Sequence, residues 1–173
     1  MTSFTPSTQS YLFNHMSTFI DYRTEKEPQL CIAKNSVLDF ITKNSNYSKF
    51  LEIVKNADMI GILNSEQFNS TIFVAENKWL EKYDTENMDS GIAKQVINCS
   101  TIDTKIKKDL LTSSPICYFY TKNRQMRLFV TNLNNQTMIN NQTHVLNYDI
   151  ECSNGIVHIV DDLLQPSQEH FMN

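Results

Sequence analysis

The sequence predicts an α+β fold, and three observations carry that expectation. From Val37 to Leu111 the apolar residues recur mostly at helical spacing. After Pro115 the pattern changes to short β-branched and aromatic runs that alternate from face to face. Near the C-terminus the run from Asn147 to Pro166 reads as two strands about an Asn154-Gly155 step, a strong hairpin signal because both residues tolerate the positive φ of a type I′ turn.

The elements follow in order. Residues 1–34 read as an N-terminal helical extension: Ser7 or Thr8 caps a helix in which Leu12, Met16, Phe19 and Ile20 share a face, and the polar 24–29 stretch with Pro28 suits a linker. Such a helix either packs on the main body or docks a partner or a second copy. The main domain spans 35–166 and a tail 167–173. Val37, Leu38, Phe40 and Ile41 mark one short helix. Phe50, Leu51 and Val54, with Met59 beyond, mark another that ends before Ala57, with Asp58 capping a further turn that carries Ile60, Ile62 and Leu63. Residues 71–75 form a strand. Residues 77–83 form a helix with Trp79, Leu80 and Tyr83 as anchors, and 92–97 and 106–111 form two more. Strands follow at 116–121, 126–131, 137–139 and 144–150, with turns at 122–125 and 132–135. In the last strand Ile156, His158 and Val160 share one face and Val157, Ile159 and Asp161 the other, so it is buried on both sides until Pro166 stops it.

Bulk properties exclude several classes. A chain of 173 residues is one domain with room for a core. A net charge of −4 argues against a phosphate-tracking nucleic-acid binder. No run of about 18 apolar residues predicts a transmembrane helix. Residues 1–7 lack the basic and apolar regions of a secretory signal. The 19 asparagines suit the codon bias of an AT-rich genome, such as that of a protist or a large DNA virus. The four cysteines form no Cys-x-x-Cys pair, so a zinc ribbon or thioredoxin-type site is not expected; free thiols are the expectation, with two disulfides of undefined pairing as the alternative.

The stretch Asp149-Ile-Glu-Cys-Ser-Asn-Gly-Ile-Val-His-Ile-Val-Asp161, followed by Leu163, Leu164 and Pro166, resembles the C-terminal signature of the fasciclin domain family. An earlier stretch, Thr71-Ile-Phe-Val-Ala-Glu-Asn-Lys-Trp-Leu80, is similar to that family's first motif through Thr71, Phe73, Asn77 and Leu80, with Ala75 where proline is usual. The resemblance covers roughly residues 35–166. It implies a bent β-sandwich or wedge with packed helices, and it implies that Thr71, Phe73, Asn77, Asp149, Asn154, Gly155, His158 and Asp161 are structural motif residues. It also implies a non-enzymatic adhesion or recognition module with a protein or cell-surface partner and no cofactor. Many adhesive members carry a Tyr-His pair near the place of Asn98-Cys99. The pair is absent here, as is Arg-Gly-Asp, so integrin binding does not carry over. The family is usually extracellular or surface-bound. Without a leader, the chain is either processed or exported another way, on a virion surface if its source is viral.

Candidate chemistry is sparse. His158 has the residue type of a general base, with Asp161 or Asp149 as orienter. A strand places His158 and Asp161 on opposite faces, which favours a buried histidine bonded inside the fold. Ser153, His158 and Asp161 lack a nucleophile elbow. Cys99 or Cys152 with His144 or His158 would be a thiol pair without other support. Asp161-Asp162 and Glu169-His170 lack metal-ligand spacing and read as a solvated acidic end. In Tyr118-Phe119-Tyr120 the two tyrosines share a face and form the candidate contact surface. Five N-x-[ST] sequons, at Asn46, Asn69, Asn98, Asn135 and Asn141, compare with about three expected by chance; the last two sit in or beside turns and are the best acceptors on a secretory route. A carrier of a small apolar ligand is the alternative function, since the many Phe, Met and Tyr side chains permit a pocket.

Overall fold

Among the described residues seven strands form one mixed sheet in the order β2-β1-β7-β6-β5-β4-β3. In this computed structural model residues 31–123 and 126–165 are described, all but Cys31 within the compact unit Ile32–Asn173. The expected N-terminal helix, Pro166 and Glu169-His170 lie outside them. The elements are α1 (Val37–Lys43), α2 (Ser48–Asn56), α3 (Ile60–Asn64), β1 (Ser70–Ala75), α4 (Ser90–Cys99), β2 (Thr101–Ile102) and α5 (Lys108–Leu111). β3 (Ile116–Tyr120), β4 (Arg127–Leu133), β5 (Gln136–Ile139), β6 (Thr143–Cys152) and β7 (Gly155–Val160) follow. Helices first and strands later is the predicted α+β order.

β1 and β7, second and third from the β2 edge, pair in parallel, and every other pairing is antiparallel. Both of these strands are buried along their whole length, as apolar residues on both faces require. Leu38, Ile41, Phe50, Ile53 and Leu63 of the first three helices join Ile72, Phe73, Val157 and Ile159 in the core. The sheet bends at β6. Its register against β7 shifts on both sides of Asn147, and Asp149 within that bulge has φ 58°. Bending brings the two edge strands together at one end, where Ile102 bridges Thr121 and Lys122 N–H donates to Thr101 O at 2.8 Å. Elsewhere no pairing joins the two edges among the described residues, so the sheet is not a closed barrel, consistent with the expected wedge.

Glycine's usual task falls to asparagine and aspartate. Every positive φ among the described residues belongs to one of them, at Asn35, Asp58, Asn69, Asn134, Asn135, Asn140, Asn141 and Asp149. Their short polar side chains make the left-handed region the least strained of any non-glycine residue. In a chain with only three glycines, asparagine abundance therefore has a conformational use.

Three local expectations change. Asp58 does not cap α3. It ends α2 at φ 54°, with Asp58 N–H donating to Lys55 O at 2.9 Å and Met59 N–H to Val54 O at 3.1 Å, the bond pattern of a Schellman stop. Residues 77–83 form only a 3-10 turn, Asn77–Trp79; Leu80 is buried, but Trp79 is 39% exposed. One buried anchor does not offset the nucleation of so short a helix. The third change is the closing hairpin, because neither Asn154 nor Gly155 has a positive φ. Double-positive turns occur instead at Asn134-Asn135 and Asn140-Asn141.

Gly155 is needed for a close approach. A Cβ there would lie 2.7 Å from Ser70 O, 3.0 Å from Val37 Cγ2 and 3.1 Å from Phe68 Cδ1. The first of these is backbone of the partner strand and cannot rotate away. Gly155→Ala is expected to cost about 1–3 kcal/mol by overpacking, measured as a fall in the urea midpoint.

Candidate functional site

Asn154, Asn77, Asp149, Thr71 and His158 bond loops and helix ends to the sheet. Asn154 is buried in the β6–β7 turn. Its Oδ1 accepts from Val37 N–H at 2.8 Å, at the first residue of α1, and its Nδ2 donates to Leu63 O and Ser65 O at 2.8 Å each, at the end of α3. Asn77 does the same for α2: its Oδ1 accepts from Lys49 N–H at 2.9 Å, and its Nδ2 donates to Ser45 O at 2.8 Å and Ser48 Oγ at 2.9 Å. Asp149 Oδ1 accepts from Lys108 N–H at 2.8 Å, at the start of α5. The residues at the N-caps of α2 and α5 are Tyr47 and Lys107, and neither makes a side-chain cap bond. Distant motif side chains therefore satisfy amides that the local sequence leaves open.

Thr71, Phe73 and His158 share a face of the β1–β7 ladder, because Phe73 pairs with His158 and Thr71 lies two residues before. Thr71 Oγ1 donates to Thr104 O and accepts from Ile106 N–H, both at 2.7 Å. His158 Nδ1 accepts from Asp149 N–H at 3.1 Å, and Nε2 donates to Ile106 O at 2.8 Å. Only the neutral ring protonated on Nε2 satisfies both bonds. Phe73 and Tyr148 flank the ring at centroid distances of 5.4 and 5.9 Å. Burial pushes the His158 pKa below its ordinary 6.5, against the upward pulls of the Ile106 carbonyl and the Asp149 carboxylate. With no exposed surface and both nitrogens committed, His158 is a cross-link and not a base that meets substrate.

Asp161 serves a different histidine. Its carboxylate accepts from His144 N–H at 2.7 Å and contacts His144 Nδ1 at 2.8 Å. Among the described residues no Ser, Thr or Cys bonds that ring. Ser153 spends its backbone N–H on Asn35 O, 2.8 Å away, and its hydroxyl donates to Lys34 O at 3.4 Å. Cys99 is buried beside Met126, and its pKa is pushed up to about 11 by burial. Cys152 is half-buried and likewise pushed up to about 11, by burial first and the Asp39 charge second. Both therefore stay protonated and poorly nucleophilic at neutral pH. Cys99, Cys117 and Cys152 are all free thiols. Cys152 lines a cleft of about 520 Å³ between α1 and β6, whose walls include Asp39, Lys43 and Glu151 but no histidine. Among the described residues no group of three or more His, Cys, Asp or Glu is placed to hold a metal.

A row of exposed apolar side chains lies elsewhere, on β3. β3 is an edge strand, and its outward residues Ile116, Tyr118 and Tyr120 are 54%, 61% and 65% exposed. Across the ladder Tyr118 faces Phe129 and Tyr120 faces Arg127. The Tyr118 and Phe129 rings lie 5.2 Å apart, and the Arg127 guanidinium sits 6.0 Å from the Tyr118 ring and 5.8 Å from the Tyr120 ring. Strand alternation in Tyr118-Phe119-Tyr120 pointed to the tyrosines. Nothing local pointed to Phe129 or Arg127, which join them only through the β3–β4 register.

A family model described as the Fasciclin domain matches residues 45–166. Among solved structures the chain is similar to a FAS1 domain pair from the insect cell adhesion molecule fasciclin I, with a TM-score of 0.65 and 21% identity. That match covers 79% of this chain and 52% of the other, so this chain spans about half the length of its structural relative, and the likeness is one of fold. No curated protein matches the chain.

Proposed function

Because the chain belongs to the fasciclin domain family, we propose that it is a non-enzymatic adhesion and recognition module whose contact surface is the outer face of β3 and β4. The observation that carries this reading is the row of exposed Ile116, Tyr118 and Tyr120 backed by Phe129 and Arg127. Tyr and Arg are the residue types that concentrate binding energy at interfaces, since they combine large apolar area with polar reach at modest entropy cost. The likeness to a cell adhesion molecule supports a protein or cell-surface partner. A net charge of −4 speaks against nucleic acid, and among the described residues no helix is long and apolar enough to cross a membrane. The carrier reading gains nothing comparable, because Phe50, Phe73 and Met59 are spent on filling the core.

The test is attachment of cells, and pull-down of their surface proteins, on the immobilised chain. Replacing Tyr118 and Tyr120 together by alanine should weaken attachment by at least ~30-fold, the effect of losing roughly 2 kcal/mol from one interface anchor. Both side chains are exposed, so the thermal midpoint should hold within a few degrees. Unchanged attachment by a folded double variant would remove this surface from the function.

A further inference from the structure

Resting on that reading of the β3–β4 face, we propose that the open edge of β3 accepts an extended acidic segment of a partner protein as an added strand, with one carboxylate of the segment on Arg127. The backbone supplies the first half of the argument. Pro115 O accepts from Asn132 N–H, and Thr121 N–H donates to Met126 O, so the odd-numbered residues of this strand bond towards β4. Alternation then turns the N–H and C=O groups of Ile116, Tyr118 and Tyr120 away from β4, along the edge. Lys122 N–H confirms the direction, because it donates to β2, on the side away from β4, at Thr101 O. Beyond that point β2 closes the edge, so among the described residues the open length is the five residues Ile116–Tyr120, or about 17 Å of strand.

Natural edge strands are commonly guarded by charge, proline or a bulge. Ile-Cys-Tyr-Phe-Tyr contains no charge and no proline, and its register with β4 is unbroken from Ile116 to Tyr120. Side chains supply the second half. Arg127 leans across both tyrosine rings, from β4 over β3, and has no carboxylate partner among the described residues. A strand laid on the edge would place its outward side chains beside that guanidinium, where a glutamate or aspartate completes the charge and its apolar neighbours cover Tyr118 and Tyr120. A second copy is the poorer occupant: residues 113–122 hold no carboxylate, so β3 paired with β3 would leave two arginines without counter-ions.

The test is binding of the whole chain to an array of random, end-blocked heptapeptides, followed by fluorescence anisotropy on the best binder. Enriched peptides should alternate apolar residues about one Asp or Glu. Exchanging that acid for its amide should weaken binding about tenfold or more, and Arg127→Gln should erase the difference between the two peptides. N-methylation of the peptide backbone at alternate residues should abolish binding in one phase and spare it in the other. Enrichment without an acid, indifference to N-methylation in both phases, or no enrichment would overturn the proposal. So would a β3-dependent dimer in sedimentation, which would make a second copy the occupant. Failure of this kind leaves the attachment assay free to succeed, whereas attachment that ignores Tyr118 and Tyr120 sinks the underlying reading.

Discussion

Asn154→Ala is expected to lower stability by roughly 4 kcal/mol. The amide is buried and makes three bonds to backbone groups of two helices, 2.8 Å each. Alanine leaves Val37 N–H and Leu63 O without partners, removes one of the two donors to Ser65 O (which keeps Phe68 N–H at 3.1 Å) and opens a small void; each unsatisfied buried group costs about 1–3 kcal/mol. A thermal midpoint lower by roughly 10 °C should follow for a domain of this size. Asn154→Asp separates the bonds from the volume. A carboxylate keeps the shape and still accepts from Val37 N–H, but it cannot donate to Leu63 O or Ser65 O. It should be at least as damaging as alanine at pH 7 and partly restored in acid, where the protonated form regains one donor. A folded Asn154→Ala variant with an unchanged midpoint would show that the three bonds do not hold the helices to the sheet.

His158→Ala is expected to cost about 3 kcal/mol, from two lost bonds and the cavity between Phe73 and Tyr148. The same residue makes stability depend on pH. Burial lowers its folded-state pKa below the ordinary 6.5, so the unfolded chain takes up the proton first as pH falls. Where the unfolded state binds more protons, stability rises with pH. The His158 contribution is therefore complete above pH 6.5 and is lost progressively below it, until the folded ring protonates as well. Protonation also puts a proton on Nδ1, where Asp149 N–H must be accepted, and so frees both the bulge of β6 and the segment around Ile106. Chemical denaturation at pH 7.5 and pH 5 should show the gap between wild type and His158→Ala narrowing in acid. A gap that stays constant, or widens, would mean that the buried ring is not held neutral.

Most elements were legible because their signals are local. Val37, Leu38 and Ile41 reveal α1 by spacing, Ile156 to Val160 reveal a strand buried on both faces, and Tyr118 and Tyr120 reveal one exposed face of β3. The errors share a cause. Asp58 has the chemistry of an N-cap and of a left-handed stop, and only the position of α2 chooses between them. Asn154-Gly155 has the composition of a type I′ turn, yet Asn154 turns its amide into the core and Gly155 lies against β1. Two Asn-Asn pairs take the turn geometry instead. The signal that would have exposed the remote caps was present as an absence: Tyr47 and Lys107 stand where helices α2 and α5 need a capping side chain and offer none.

By itself the amino-acid order determined the α-then-β sequence of elements, the last strand buried on both faces and the family pattern, since periodicity and motif spacing are properties of neighbours along the chain. Tertiary structure alone decided that His158 serves Asp149 and Ile106 while Asp161 serves His144, and that Arg127 and Phe129 complete the tyrosine surface. Those pairings join residues from 7 to 52 positions apart. Which partner a side chain meets at such separations is fixed by strand register and by the bend at β6, and neither is encoded in any local window.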